Sequence, residues 1–276
     1  MRIDAHQHFW KYSQAEYGWI NDEMAALKQD FRPEDLQPLL LANGFDGSIA
    51  VQACQTIEET QRLLSLADES DFIKGVVGWV DLCSPSVSAQ LDSLARHARL
   101  VGIRHVVQAE PDDEFMLRDD FQRGIASLAA YNLTYDLLLY PRHLPVAVKL
   151  VRRFPEQPFV LDHIAKPGIA EGLMEPWARD IRELARNENV CCKLSGMVTE
   201  SRWKQWRTED FRPYLDVVFE AFGPQRLMIG SDWPVCTLSA TYAETISIVN
   251  DFIRQLEPGL QEQIMGGTCA SFYGIP

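Results

Sequence analysis

Eight short runs of apolar, largely β-branched residues recur along the chain: Met1–Ala5, Gly47–Gln52, Gly75–Leu82, Val101–Gln108, Leu133–Leu139, Pro158–Asp162, Val190–Leu194 and Arg226–Gly230. Val, Ile and Leu are nearly continuous within them, the pattern of strands covered on both faces. Amphipathic stretches separate the runs, among them Glu58–Ser70, Val87–Ala98, Phe115–Tyr131, Pro145–Arg153, Pro176–Asn187 and Arg212–Phe222, and these predict helices. Thr56 with Glu59 resembles a capping box, and Pro176 suits a first helical turn. Strands alternating with helices, roughly one pair per 30 residues, imply parallel βαβ units. Eight such units predict an α/β protein, a single (β/α)8 (TIM) barrel domain over residues 1–276. An open doubly wound sheet is the rival, but no Gly-x-Gly-x-x-Gly or P-loop run follows any strand. No linker, low-complexity tract or internal repeat interrupts the series.

Composition narrows the functional classes. Of 276 residues, 46% are hydrophobic and 24% charged, as in ordinary globular proteins. No uninterrupted apolar run reaches the roughly 18 residues of a membrane span. The opening Met1-Arg2-Ile3-Asp4 has no apolar signal stretch, so a cytoplasmic location is expected. Lys+Arg number 26 against 39 Asp+Glu, a net charge of −13, which argues against nucleic acid and anionic membrane as partners. The six cysteines include no Cys-x-x-Cys pair, and reduced thiols are expected. The adjacent Cys191 and Cys192 are expected to occupy opposite faces of one strand.

In a barrel of this kind, chemistry gathers at the C-terminal ends of the strands. The first run leads into His6-Gln7-His8, the fourth holds Arg104-His105, the fifth Asp136, the sixth ends in Asp162-His163, and the eighth leads into Ser231-Asp232. Residues i and i+2 of a strand project to one face, so the two imidazoles of His6 and His8 can reach one point. With His163 and Asp232 they form a set able to hold one divalent ion and leave room for water.

The motifs His6-Gln7-His8-Phe9-Trp10, Leu161-Asp162-His163-Ile164-Ala165-Lys166-Pro167, Lys193-Leu194-Ser195-Gly196 and Gly230-Ser231-Asp232-Trp233-Pro234 resemble the amidohydrolase superfamily. Within it they are similar to the branch of sugar-lactone and pyrone-dicarboxylate lactone hydrolases, as is the Phe272-Tyr273-Gly274 ending. The resemblance implies an amidohydrolase-type barrel that hydrolyses a small-molecule sugar lactone, of L-fucono-1,5-lactone type. Two departures accompany it. No Lys or Glu lies within Val101–Gln108 to bridge two metals, and the fifth run offers Tyr135 and Asp136 where a histidine is expected. A two-metal site is therefore not expected. One divalent ion, zinc, held by His6, His8, His163 and Asp232, is the cofactor considered.

Opening a lactone needs an activated water, a polarised carbonyl and a proton for the leaving alkoxide. Asp232 is the candidate general base and His163 the group that polarises the carbonyl. Arg104, His105 and Lys166 are candidate substrate-binding groups. Trp10 and Trp233 are candidate platforms for the sugar ring, with Phe9 and Trp79 as weaker ones. Asp4 and Asp162 are placed to orient histidines. The segment 197–212, with Arg202, Trp203, Trp206 and Arg207, is a candidate cover. The alternatives are a mononuclear-metal decarboxylase of the same superfamily, disfavoured by the absent histidine in the fifth run, and a non-catalytic barrel that binds a sugar acid.

Overall fold

Period-two alternation sorts the strand residues onto two faces, and those faces build the molecule. The computed structural model describes residues 1–276. Strands β1 (Ile3–Gln7), β2 (Gly47–Val51), β3 (Ile73–Gly78), β4 (Leu100–His105), β5 (Thr134–Leu137), β6 (Phe159–Leu161), β7 (Val190–Leu194) and β8 (Leu227–Ile229) form one parallel sheet in chain order. Each strand is followed by a helix: α1 (Pro33–Ala42), α2 (Ile57–Glu69), α3 (Val87–Leu94), α4 (Asp119–Leu128), α5 (Leu144–Arg153), α6 (Trp177–Ala185), α7 (Thr208–Phe222) and α8 (Tyr242–Ile253). Two short helices, α9 (Pro258–Glu262) and α10 (Thr268–Tyr273), end the chain.

Ala50, Val76, Phe159, Leu161, Leu227 and Ile229 pack outward among the helices. Their strand neighbours Ile49, Val51, Val77, Val160 and Met228 belong to a separate inner cluster that Cys269 and Tyr273 of α10 complete. A slip of one residue would exchange the two sets and carry the inward polar groups Arg104, Asp136 and Lys193 into the apolar layer under the helices. Cys192 packs with the outer set and Cys191 with the inner one, and all six thiols are free. The sheet closes just beyond β8, where Asp232 N–H donates to His6 O at 2.8 Å and His8 N–H to Trp233 O at 2.7 Å.

Three local features differ from the sequence pattern. The third and fourth apolar runs stop pairing at Gly78 and His105, because side chains take the next backbone donors. Trp79 N–H donates to Thr60 Oγ1 at 2.8 Å, and Val106 N–H to Gln55 Oε1 at 2.7 Å. The predicted helix over Phe115–Tyr131 is broken at the extended Arg118, whose guanidinium pairs with Asp120, and only Asp119–Leu128 is α-helical. Thr56 Oγ1 caps α2 by accepting from Glu59 N–H at 3.1 Å, but the Glu59 carboxylate does not return the bond. It accepts from Ala53 N–H at 2.9 Å and Cys54 N–H at 2.7 Å instead, holding the loop after β2. No helix is long and apolar enough to cross a membrane.

Candidate active site

Barrel closure places the site. The register between β1 and β2 slips between Asp4 and Gln7, and His6 and His8 then share the inner face with their Nε2 atoms 3.2 Å apart. The His8 Nδ1–H donates to Val51 O at 2.7 Å, which turns its Nε2 toward the site. The closing hydrogen bonds carry Asp232 over these rings, with Oδ1 3.3 Å from His8 Nε2 and 3.8 Å from both His6 Nε2 and His163 Nε2. Asp232 has φ +57°, a left-handed conformation that costs a non-glycine residue of order 1 kcal/mol or more. Asp4 supports this turn by accepting from Ser231 N–H at 2.8 Å, Ser231 Oγ–H at 2.6 Å and Tyr242 O–H at 3.0 Å. Asp4 thus bonds the turn that carries Asp232, and toward His6 it touches only the backbone N–H.

His163 opens four consecutive left-handed residues, His163 to Lys166, directly after β6. Trp177 Nε1–H holds this segment through Ile164 O at 2.7 Å, and His163 Nδ1 lies 2.9 Å from Ser195 Oγ. Gly196 makes room for the ring: it has φ +66°, and a Cβ there would lie 2.6 Å from His163 Cγ and Nδ1. Asp162 turns toward His6 rather than its neighbour His163, with Oδ1 3.3 Å from His6 Nδ1. Arg104 donates to Asp162 Oδ2 at 2.9 Å and also binds Gln52 O. Lys193, fully buried, donates to Asp136 Oδ2 at 2.5 Å and lies 3.1 Å from Asp162 Oδ1.

Burial favours neutral forms, and the neighbouring charges decide which groups resist it. Burial pushes His163 down to about 4 against the pull of Asp232, so the ring is neutral at pH 7. His6 lies well below the ordinary histidine value for the same reason. Burial alone would raise Asp232, but His163, His8 and His6 outweigh it and hold the carboxyl well below the usual range. An ionised carboxylate therefore faces the neutral imidazoles of His163 and His6. A tetrahedral divalent ion with bonds of about 2.0–2.2 Å separates its ligands by about 3.3–3.5 Å. His6 Nε2, His8 Nε2 and Asp232 Oδ1, 3.2–3.8 Å apart, fit such an ion, with His163 Nε2 beside them.

A cavity of about 330 Å³ opens onto this group, and His8, His163, Asp232, Arg104 and Lys166 line it. Three residues expected there lie elsewhere. His105 faces away from the cavity next to inward Arg104, with Nε2 2.7 Å from Glu110 Oε1, its ring stacked on Phe115, and Trp79 Nε1–H directed at its Nδ1. Trp10 gives its indole N–H to Gln29 O at 2.9 Å and packs on Tyr17 and Phe31. Trp233 packs between Phe9 and Phe31. Strand alternation and the turn after β1 spend these aromatics on the core.

The cavity wall contains residues with no sequence signal: Glu16 and Trp19 from the loop after β1, Gln55 after β2, and Gln108 after β4. Gln108 Oε1 is buried without a partner. Trp19, 41% exposed, is tied by its indole N–H to Ala53 O at 3.1 Å and forms the cover. No residue of 197–212 lines the cavity. Trp203 and Trp206 instead anchor that segment through Thr199 O at 2.9 Å and Ser239 O at 3.2 Å.

The amidohydrolase family pattern matches residues 3–275. The chain belongs to the amidohydrolase family. It is 42% identical to L-fucono-1,5-lactonase of Burkholderia multivorans over 100% of this chain and 97% of that protein. It is 39% identical to L-fucono-1,5-lactonase of Burkholderia ambifaria over 99% and 96%. Among solved structures, an amidohydrolase from Burkholderia multivorans with bound zinc superposes with a TM-score of 0.96, at 42% identity and 100% coverage of both chains.

Proposed function

We propose that this protein hydrolyses a sugar lactone of the L-fucono-1,5-lactone type, as a cytoplasmic enzyme. The observation that carries the reading is an ionised, buried Asp232 carboxylate 3.3–3.8 Å from three imidazoles at the end of a cavity sized for one monocyclic sugar. Asp232 Oδ1 makes these contacts and leaves Oδ2 to accept the proton of an attacking water and return it to the ring alkoxide. With Ser195 O–H donating to Nδ1, the His163 proton sits on Nε2 and polarises the lactone carbonyl. Arg104, Lys166 and Gln108 meet the sugar hydroxyls, and Trp19 covers the ring. His6, His8 and Asp232 would hold one zinc ion, which supplies Lewis acidity when bound, while His163, with its proton on Nε2, serves the carbonyl rather than the ion. The β5 position carries Asp136, bonded to Lys193, so it offers no imidazole of the kind the decarboxylase alternative requires.

A panel of aldonolactones, assayed for acid release with a pH indicator with and without chelator, tests the reading. Hydrolysis of L-fucono-1,5-lactone above the others is expected, and failure on every lactone overturns the proposal. Asp232→Asn is expected to lose about 10²–10⁴-fold in kcat with an unchanged circular dichroism spectrum. A variant that retains most of its turnover would remove Asp232 as the base.

A further inference from the structure

More groups face the His6 ring than one neutral imidazole can satisfy. At Nδ1 stand a donor and an acceptor, each 3.3 Å away: the Lys193 ammonium and Asp162 Oδ1. At Nε2 stand His8 Nε2 at 3.2 Å and Arg104 Nη1 at 3.3 Å. A neutral imidazole has one N–H and one lone pair. His8 gives its Nδ1–H to Val51 O, and in the neutral ring Nε2 then only accepts.

Two arrangements of the His6 proton follow, each leaving one neighbour at Nε2 unmatched: Arg104 Nη1 in the first, His8 Nε2 in the second. In the first, the His6 proton is on Nε2 and is donated to His8 Nε2, while Nδ1 accepts from Lys193. In the second, the proton is on Nδ1 and is donated to Asp162, and bare Nε2 lone pairs of His6 and His8 both face the point that Asp232 Oδ1 also faces. The second suits a bound cation. Without one it sets two lone pairs against each other at 3.2 Å.

We propose that Lys193 and Asp162 form a two-way hydrogen-bonding station that lets His6 exchange tautomers, Nε2–H when the site holds no ion and Nδ1–H when a divalent ion is bound. Lys193 is the positioning residue. The exchange moves no net charge, so it avoids the cost of creating a buried ion. Asp162 Oδ1 is buried without a hydrogen-bond partner 3.1 Å from the Lys193 ammonium, so Lys193 would change only its acceptor, from His6 Nδ1 to Asp162 Oδ1, and keep Asp136 throughout. Asp136 is pinned in turn by Tyr273 O–H at 2.8 Å, so the C-terminal helix α10 reaches the site through the barrel interior. This gives a role to Lys193 and Tyr273, two motif residues that the hydrolytic step leaves unused. The inference rests on the reading that His6, His8 and Asp232 can hold an ion. The rival arrangement without an ion keeps the proton on Nδ1 and has Arg104 donate to Nε2, which reduces Lys193 to a counter-ion.

Long-range ¹H–¹⁵N spectra of the full chain labelled with ¹⁵N-histidine decide between them, with His6 assigned by comparison with His6→Gln. In chelator-treated protein the pyrrole-type (protonated) nitrogen of His6 is expected to be Nε2, and on addition of zinc it is expected to become Nδ1. A second sample, Lys193→Met with Asp136→Asn, removes the buried pair together with its charges. In it His6 is expected to remain Nδ1–H even without zinc. A wild-type His6 with Nδ1–H in both states, a double variant that keeps Nε2–H, or a protein that takes up no zinc overturns the proposal. If the double variant does not fold, the wild-type spectra decide alone. The spectra require no lactone turnover, so a failed lactonase assay and a failed tautomer exchange are separate results.

Discussion

Gly196 shows how far a single position governs this site. Its φ of +66° and the 2.6 Å approach of the His163 ring leave no space for a methyl group. Gly196→Ala is expected to lower stability by about 1–3 kcal/mol in urea unfolding, and to reduce kcat by displacing His163. Glu59 offers a second test at this scale. Burial pushes its carboxyl up to about 7, although it accepts from two backbone N–H groups and from Tyr17 O–H. The unfolded chain releases this proton near 4.5 and the folded protein near 7, so the folded state binds more protons between those values. Stability contributed by Glu59 is therefore present below pH 4.5 and lost as pH rises to 7. Relative to Glu59→Gln, the wild type is expected to lose about 3 kcal/mol across that window, read from urea midpoints at pH 4.5 and 7.5. A constant difference would show that Glu59 titrates normally.

At the scale of elements, the loop after β1 and the ends of the strands divide the work. Trp19 covers the cavity while remaining 41% exposed, so its removal costs the fold little. Trp19→Ala is expected to raise KM about 5- to 30-fold, from ~1–2 kcal/mol of lost apolar contact, with an unchanged melting temperature. An unchanged KM would assign the cover to another element. The strands were legible because they are buried on both faces and carry runs of Val, Ile and Leu. Their ends were less so: Trp79 and Val106 continue the apolar pattern, yet their backbone donors go to Thr60 and Gln55, side chains that pattern alone cannot pair with them. The break at Arg118 was hidden for a similar reason, since an amphipathic stretch reads the same on either side of one extended residue.

For the whole molecule, closure of the barrel and assembly of the site are one event. The hydrogen bonds that join β1 to the residues after β8 are those that set Asp232 above His6 and His8, and Asp4 clamps Ser231 between them. Asp4→Ala leaves the Ser231 and Tyr242 donors without their acceptor, and is expected to cost at least about 3 kcal/mol and to lower turnover by loosening Asp232. A stable variant of normal kcat would separate closure from catalysis. The eight-unit barrel, the gathering of His6, His8, His163 and Asp232 and the positions of Arg104 and Lys166 follow from the chain itself, because strand period and motif spacing are local properties and a barrel brings all strand ends to one rim. The assignment of Trp10, Trp233 and His105 to the core, of Trp19 and Gln108 to the cavity, and of Lys193 to the back of His6 was decided only by tertiary structure. Which face a residue presents beyond a strand end, and which partner takes its polar atoms, depends on distant segments, as between Lys193 and His6, 187 positions apart, or Asp4 and Tyr242, 238 apart.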